Sequence, residues 1–294
     1  MKKDIYQVFT HKDLDGAVSL LTFLWSKPDA VVSYTEVTNI QIDIIKDYVK
    51  RTCNPPNILI FDLALREDMI PDLDYDYITF IDHHKTSEEY IKKFKQANII
   101  YKESPSNTLL IRSLLKDKAP TFSEEQKKLI LYANDFDSGE FSFKESYDLN
   151  ILFWTQFKNE FCYFCKYYEK GFRPFTKQQL ELIQNNKNIA AEITKNTKCF
   201  NGNMVIDGKI KKVTAALTES YNNIVIDMLS SKYKPDILFY INTKTEKVSM
   251  RQNKTSDPVD LSLFAKKYCD GNGNQHTAGG KITPLFMELT KNLK

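Results

Sequence analysis

The stretch IYQVFTHKDLDGAVSLLTFLW, residues 5–25, decides how this chain is read. IYQVFT (5–10) is β-branched and aromatic and reads as a short strand. AVSLLTFLW, from Ala17, has the length and apolar content of a buried helix. Between them sit His11, Lys12, Asp13, Leu14, Asp15 and Gly16, a polar cluster at the carboxyl end of the strand.

The same alternation continues through the first half. VVSYTEV (31–37), NILIF (57–61) and YITFI (77–81) read as strands, and IQIDIIKDYVKRT (40–52) carries apolar residues at helical spacing. Thr86 with Glu89 matches a capping box that predicts a helix running to about Ala97, and Ser123 with Gln126 predicts another. Strands alternating with helices imply βαβ units and a mostly parallel, Rossmann-like α/β sheet. Residues 150–198 differ, being aromatic and Lys-rich and then polar, and read as a helical connector. A second, smaller α/β unit follows. Its strands are expected in NMVIDGK (203–209), KKVTAALT (211–218) and ILFYINTKTEKVSMR (237–251), with a helix in SYNNIVIDMLSSKY (220–233). The expected division is residues 1–190 and 200–294.

Composition narrows the function classes. Lys plus Arg number 41 against 38 Asp plus Glu, so the net charge of +3 does not suit a binder of long duplex DNA, though a local basic patch suffices for a few phosphates. No apolar run reaches the ~18 residues of a membrane span, and MKKDIYQVFTHKD does not read as a signal peptide. Cys53, Cys162, Cys165, Cys199 and Cys269 show no framework spacing. The lone C-x-x-C at 162–165 has no second pair for a zinc ribbon, so these read as reduced thiols of a cytoplasmic protein.

The chemistry lies at the strand ends. Strand 57–61 runs into Asp62 and strand 77–81 into Asp82, His83 and His84. In a parallel α/β sheet ligands bind at the carboxyl ends of the strands, so His11, Asp13, Asp15, Asp62, Asp82, His83 and His84 are expected along one edge. So many carboxylates in one crevice repel unless cations neutralise them. Oxygen and imidazole donors without thiolate suit manganese, magnesium, iron or cobalt. Of the four histidines, three sit at these strand ends and His276 lies in a Gly-rich loop of the second unit. A lone Asp after a strand is ordinarily a turn or cap residue. An Asp and two histidines emerging together from a buried strand are costly unless liganded or hydrogen-bonded.

HKDLDG (11–16), Asp62 and DHH (82–84) resemble the motifs of the DHH phosphoesterase superfamily. The family's fourth motif resembles Asp137-Ser138-Gly139 in YANDFDSGEF, with Asp135 a rival for its Asp. VSMRQN (248–253) and DGNGNQHTAGGK (270–281) look like the Gly-rich part of a DHH-associated C-terminal substrate-binding domain. The loop departs from the family's pattern: Asn272, Asn274 and Gln275 interrupt the glycines, and either Gln275 or His276 takes the place of the family's His.

The resemblance implies two divalent cations, manganese first, with magnesium or cobalt as alternatives. His11, Asp13 and Asp62 would hold one; Asp15, Asp62, His83 and Asp137 the other, with Asp62 as bridge. Asp82 would ligate or orient a ligand, and His84 would stand near the phosphate as a catalytic group. Arg251, Gly271, Gly273, His276, Gly279, Gly280 and Asn107 would face substrate; for Asn107 the simpler reading is a helix cap with Ser106 and Thr108. The aromatics of 151–175 read as helix core first and as a base-stacking surface second. The activity implied is hydrolysis of short single-stranded oligonucleotides or small nucleotide phosphates, as in nanoRNases, 3′-phosphoadenosine-5′-phosphate phosphatases and oligonucleotide phosphodiesterases, with no membrane partner and with a homodimer as one form of assembly. The competing readings are a pyrophosphatase or polyphosphatase, and a catalytically inactive nucleic-acid binder on the same fold.

Overall fold

A computed structural model describes residues 3–115, 121–157, 160–219, 223–253, 257–273 and 275–293. The chain divides into two compact units, Met1–Ile183 and Gln184–Lys294. No helix among the described residues is long and apolar enough to cross a membrane.

The first unit is built on five strands: β1 (Ile5–His11), β2 (Val31–Val37), β3 (Asn57–Phe61), β4 (Ile78–Asp82) and β5 (Asn98–Tyr101). They form one sheet in the order β2-β1-β3-β4-β5, every pair parallel. The order reverses between β1 and β3. That is the switch point, where the connections leave toward opposite faces and open a crevice beyond the strand ends. One face packs against α2 (Ile42–Arg51) and the short α3 (Ile70–Leu73), where Ile42, Ile45, Val49 and Leu73 meet Phe9, Ile58, Ile60 and Phe80. The other face takes α1 (Leu14–Ser26), buried along almost its whole length, with α5 (Asn107–Leu115) and α6 (Glu124–Asp137) packed on it.

Two predicted caps have different outcomes. Ser123 and Gln126 form the full reciprocal box at the start of α6. Thr86 and Glu89 do not. There the chain makes a 3₁₀ turn, Lys85–Ser87, then one short helix, α4 (Glu88–Ile91), with no side-chain cap, and the helix to Ala97 is not formed. Thr86 Oγ1 is buried without a hydrogen-bond partner.

Of the segment 150–198, α7 (Lys144–Thr155) and α8 (Phe161–Tyr167) pack into the first unit. Phe153, Phe157, Phe161, Phe164 and Tyr168 are buried in a mutual edge-to-face cluster, which gives these aromatics a packing role. Helix α9 (Lys177–Asn196) runs from one unit into the other. The second unit holds a mixed sheet, β10-β11-β9-β8-β7-β6, of β6 (Lys198–Ile206), β7 (Lys209–Thr218), β8 (Ile237–Asn242), β9 (Lys247–Gln252), β10 (Asn272–Gly273) and β11 (Thr277–Lys281). Helices α11 (Leu261–Cys269) and α12 (Pro284–Thr290) cover one face, and α10 (Asn223–Tyr233) with Ala190 of α9 the other. The predicted helical start at 220–222, and Asn274, lie outside the described residues.

Candidate metal centre

The carboxyl ends of β1, β3 and β4 deliver the strand-end residues to one place. His11 ends β1, and its Nδ1 lies 2.6 Å from Asp13 Oδ2. Asp13 caps α1: its Oδ1 accepts from Gly16 N at 2.9 Å. Gly16 must be glycine, because a Cβ there would stand 2.1 Å from His11 O. The close crossing of α1 over the end of β1 is what brings Asp13 and Asp15 beside His11. Asp15 is buried, and both its oxygens are held by the start of α5: Asn107 N donates to Oδ2 at 2.7 Å and Thr108 N to Oδ1 at 3.0 Å. Unpaired N–H groups at a helix start favour an anion in this way.

Asp62 follows β3 with φ of 59°, a left-handed conformation that costs energy for a residue with a Cβ. Its two oxygens face different neighbours. Oδ2 lies 3.9 Å from His11 Nδ1, and Oδ1 lies 3.3 Å from His83 Nε2. His83 Nε2 is also 3.9 Å from Asp15 Oδ2 and 3.6 Å from Asp137 Oδ2. His83 Nδ1 sits 3.0 Å from the carbonyl of Ser104, which makes Nδ1 the donor and turns Nε2 toward the acids. Asp137 is the last residue of α6. Its rival Asp135 is buried and fully used elsewhere, with Oδ1 accepting from Ser142 N at 2.8 Å and Oδ2 from Phe143 N at 3.2 Å and from Ser146 Oγ.

Among the described residues, three sets of donor atoms lie within 4.8 Å of one another: His11, Asp13, Asp62; Asp15, His83, Asp137; and Asp62, His83, His84. Asp82 belongs to none of them. It is buried, with Oδ1 2.6 Å from His84 Nδ1 and Oδ2 accepting from Ser87 Oγ. Sequence reasoning missed Ser87 and the Ser104 carbonyl, since nothing in their residue types or spacing marks them.

The electrostatics fit a set waiting for positive charge. Burial pushes Asp62 well above the usual carboxylate range, and Asp13 and Asp15 push further. Burial and the nearby Asp15 do the same to Asp137. Burial opposes charge on His11, yet Asp13, Asp62 and Asp137 outweigh it and lift the imidazole to about 9. His83 is lifted to about 11 against its burial, through Asp62, Asp137 and Asp15. Burial also works against charge on Asp13, but His11 holds it down to about 2. Protons are thus held where divalent cations would neutralise the same acids, and the oxygen and imidazole donors without thiolate suit manganese or magnesium.

In the second unit the β9–β11 register sets Arg251 beside Thr277, and so beside the end of the Gly-rich loop. The Arg251 guanidinium is tied to α10, with Nη1 donating to Asp227 Oδ1 at 2.6 Å and Nη2 to Asn223 Oδ1 at 3.4 Å. Gln275 and His276 have exposed side chains. Three of the loop's glycines are demanded by packing: a Cβ at Gly271 would stand 2.0 Å from Gly279 O, at Gly273 2.3 Å from Thr277 O, and at Gly280 2.3 Å from Cys269 O. At Gly279 the nearest atom would be 3.2 Å away. Asn107 is fully buried with its amide on Ser19 Oγ, so it meets the centre through its backbone N–H.

No family model and no curated protein matches the chain by sequence. Solved structures match it by fold. The DHH domain of a protein described as a member of a family of ribosomal proteins aligns over 99% of this chain and 87% of its own, at 12% identity and a TM-score of 0.61. A pGpG-specific phosphodiesterase from Vibrio cholerae aligns over 97% and 96%, at 14% identity and a TM-score of 0.55. RecJ from Thermus thermophilus in complex with Mn²⁺ aligns over 98% of this chain and 51% of its own, at 11% identity and a TM-score of 0.65. At such identities the likeness is one of fold. The chain has the DHH fold, a parallel α/β unit followed by a second, smaller mixed-sheet unit.

Proposed function

We propose that this protein is a metal-dependent phosphoesterase that hydrolyses phosphodiester bonds in short single-stranded oligonucleotides or small nucleotide phosphates. The observation that carries this reading is Asp62, whose Oδ2 faces His11 and whose Oδ1 faces His83. One carboxylate with an oxygen toward each donor set is the arrangement of a bridge between two cations. His11, Asp13 and Asp62 would hold the first; Asp15, Asp62, His83 and Asp137 the second. When bound, such a pair supplies an activated water and a clamp on the phosphoryl oxygens.

The chain's own residues do the rest. The start of α5 fixes Asp15, and the Ser104 carbonyl fixes the tautomer of His83. His84 holds its Nδ1–H on Asp82, so as an imidazolium it carries a second proton on Nε2, which it would give to the leaving oxygen and so return to the neutral ring. We assign Arg251, His276 and the glycines of the second unit's loop a role in substrate binding, the arginine fork matching phosphate oxygens. Phosphodiester chemistry is further supported by the fold neighbours, which include a pGpG-specific phosphodiesterase and an exonuclease, RecJ, bound to manganese.

The test is turnover. Purified protein with Mn²⁺ is offered RNA and DNA dimers to pentamers, a 24-mer, 3′-phosphoadenosine-5′-phosphate, cyclic dinucleotides and pyrophosphate. Mononucleotides released from the short oligomers by the wild type, and not by Asp62→Asn, support the reading. Release from pyrophosphate alone contradicts it.

A further inference from the structure

The turn after β4 folds back on itself. Ser87 N donates to His84 O at 2.9 Å, which brings the Ser87 side chain to Asp82. Ser87 is fully buried. Its hydroxyl accepts from Leu65 N at 2.8 Å and donates to Asp82 Oδ2. A hydroxyl has one proton, and an ionised carboxylate only accepts, so the Leu65 N–H fixes which way the Ser87 proton points. Asp82 Oδ2 is thereby occupied, and Oδ1 is left for His84 Nδ1 at 2.6 Å.

A second carboxylate competes for that nitrogen. Asp62 Oδ1 lies 4.0 Å from His84 Nδ1, and Asp62, His83 and His84 form a donor set of their own. His84 can therefore serve in two ways: anchored on Asp82 with Nε2 directed away, or recruited through Nδ1 beside Asp62. We propose that Ser87 is a positioning residue that decides between them. By holding Asp82 it commits the His84 Nδ1–H to Asp82 and keeps His84 out of the cation-binding set. This rests on the reading above of His84 as the group at the leaving oxygen, but its first readout does not.

That readout is long-range ¹H–¹⁵N NMR of the histidines in the full chain loaded with Mg²⁺. With four histidines in the sequence, His84 is assigned by the loss of its signals in His84→Gln. The wild type is expected to carry a proton on Nδ1. Ser87→Ala is expected to lose it in a large fraction of molecules, and Ser87→Thr, which keeps the hydroxyl, to restore it. An unchanged His84 pattern in Ser87→Ala overturns the proposal whether or not the protein turns over any substrate. In turnover, Ser87→Ala is expected to lower kcat ~10–100-fold on a dinucleotide at unchanged KM, the usual scale for a group behind a catalytic residue. A p-nitrophenyl phosphodiester, whose leaving group needs no proton, is expected to be spared. Equal losses on both substrates, or a change in melting temperature alone, overturn the proposal. If Ser87→Ala does not fold, Ser87→Cys, close in volume and a weaker donor, is read in the same way.

Discussion

Asp135 and Asp137 stand two residues apart at the end of α6, and YANDFDSGEF favours Asp137 through the Ser138-Gly139 that follows it while leaving Asp135 a rival. Their surroundings in the fold differ. The Asp135 carboxylate takes the Ser142 and Phe143 N–H groups and Ser146 Oγ, while Asp137 Oδ2 stands 3.6 Å from His83 Nε2. Asp135→Asn is expected to cost about 1–3 kcal/mol, since it weakens a buried acceptor of several donors, and to leave Mn²⁺ binding intact. Asp137→Asn is expected to do the opposite, weakening Mn²⁺ at least ~10-fold with little loss of stability. Thermal melts and Mn²⁺ titration of the two variants check this. A pH dependence follows from the same centre. His11 and His83 have folded values raised to about 9 and about 11, above the ordinary 6.5, so their stabilisation is complete below 6.5 and is lost as pH rises through those values. Asp62 and Asp137, also raised, lose stability in the same direction. The metal-free melting temperature is therefore expected to fall from about pH 6.5 to about pH 11. The rise given by Mn²⁺ should grow over the same range, because binding releases those protons. A flat or rising metal-free profile would contradict this account.

Elements were legible where one local pattern decided them. The Ser123 box opens α6 as its spacing says, but the matching pattern at Thr86 and Glu89 fails. The difference is tertiary: Ser87 is committed to Asp82 and Leu65, so the turn serves β4 rather than a helix. Asp-Gly at 15–16 has the residue types of a turn yet lies inside α1, where glycine is needed for contact with β1. Gly16→Ala is expected to force α1 off the end of β1. The cost should be about 1–3 kcal/mol, with weakened Mn²⁺ binding through Asp13 and Asp15, readable by melting and titration. In the aromatic segment, Phe157 is fully buried among Phe164, Tyr167 and Tyr168. Phe157→Ala is expected to cost about 3–5 kcal/mol, measured by denaturant unfolding. A change below ~1 kcal/mol would return that segment to a surface role.

At the scale of the whole molecule, the sequence carried the parallel sheet and the gathering of strand-end acids and histidines because both follow from alternation along one chain. It could not carry the strand order. That order, β2-β1-β3-β4-β5, puts the reversal between the strand bearing His11 and the strand bearing Asp62, and so lets Asp62 face His11 and His83 at once. It also could not show that Arg251 is already paired with Asp227, or that Gly271, Gly273 and Gly280 answer to backbone packing, because those partners are distant in sequence or lie across a hairpin. The carboxylates gathered at the switch point are the consequence that matters most, since their repulsion is what cations would relieve.

The central claim is that Asp62 is shared by two cations, and the most direct measurement is calorimetric titration of metal-free protein with Mn²⁺, wild type beside Asp62→Asn. Two Mn²⁺ per chain are expected for the wild type. Asp62→Asn, which keeps a residue tolerant of the left-handed conformation, is predicted to lose both tight sites and to melt higher than the wild type without metal. A single site in the wild type, or two sites that survive in Asp62→Asn, would contradict it.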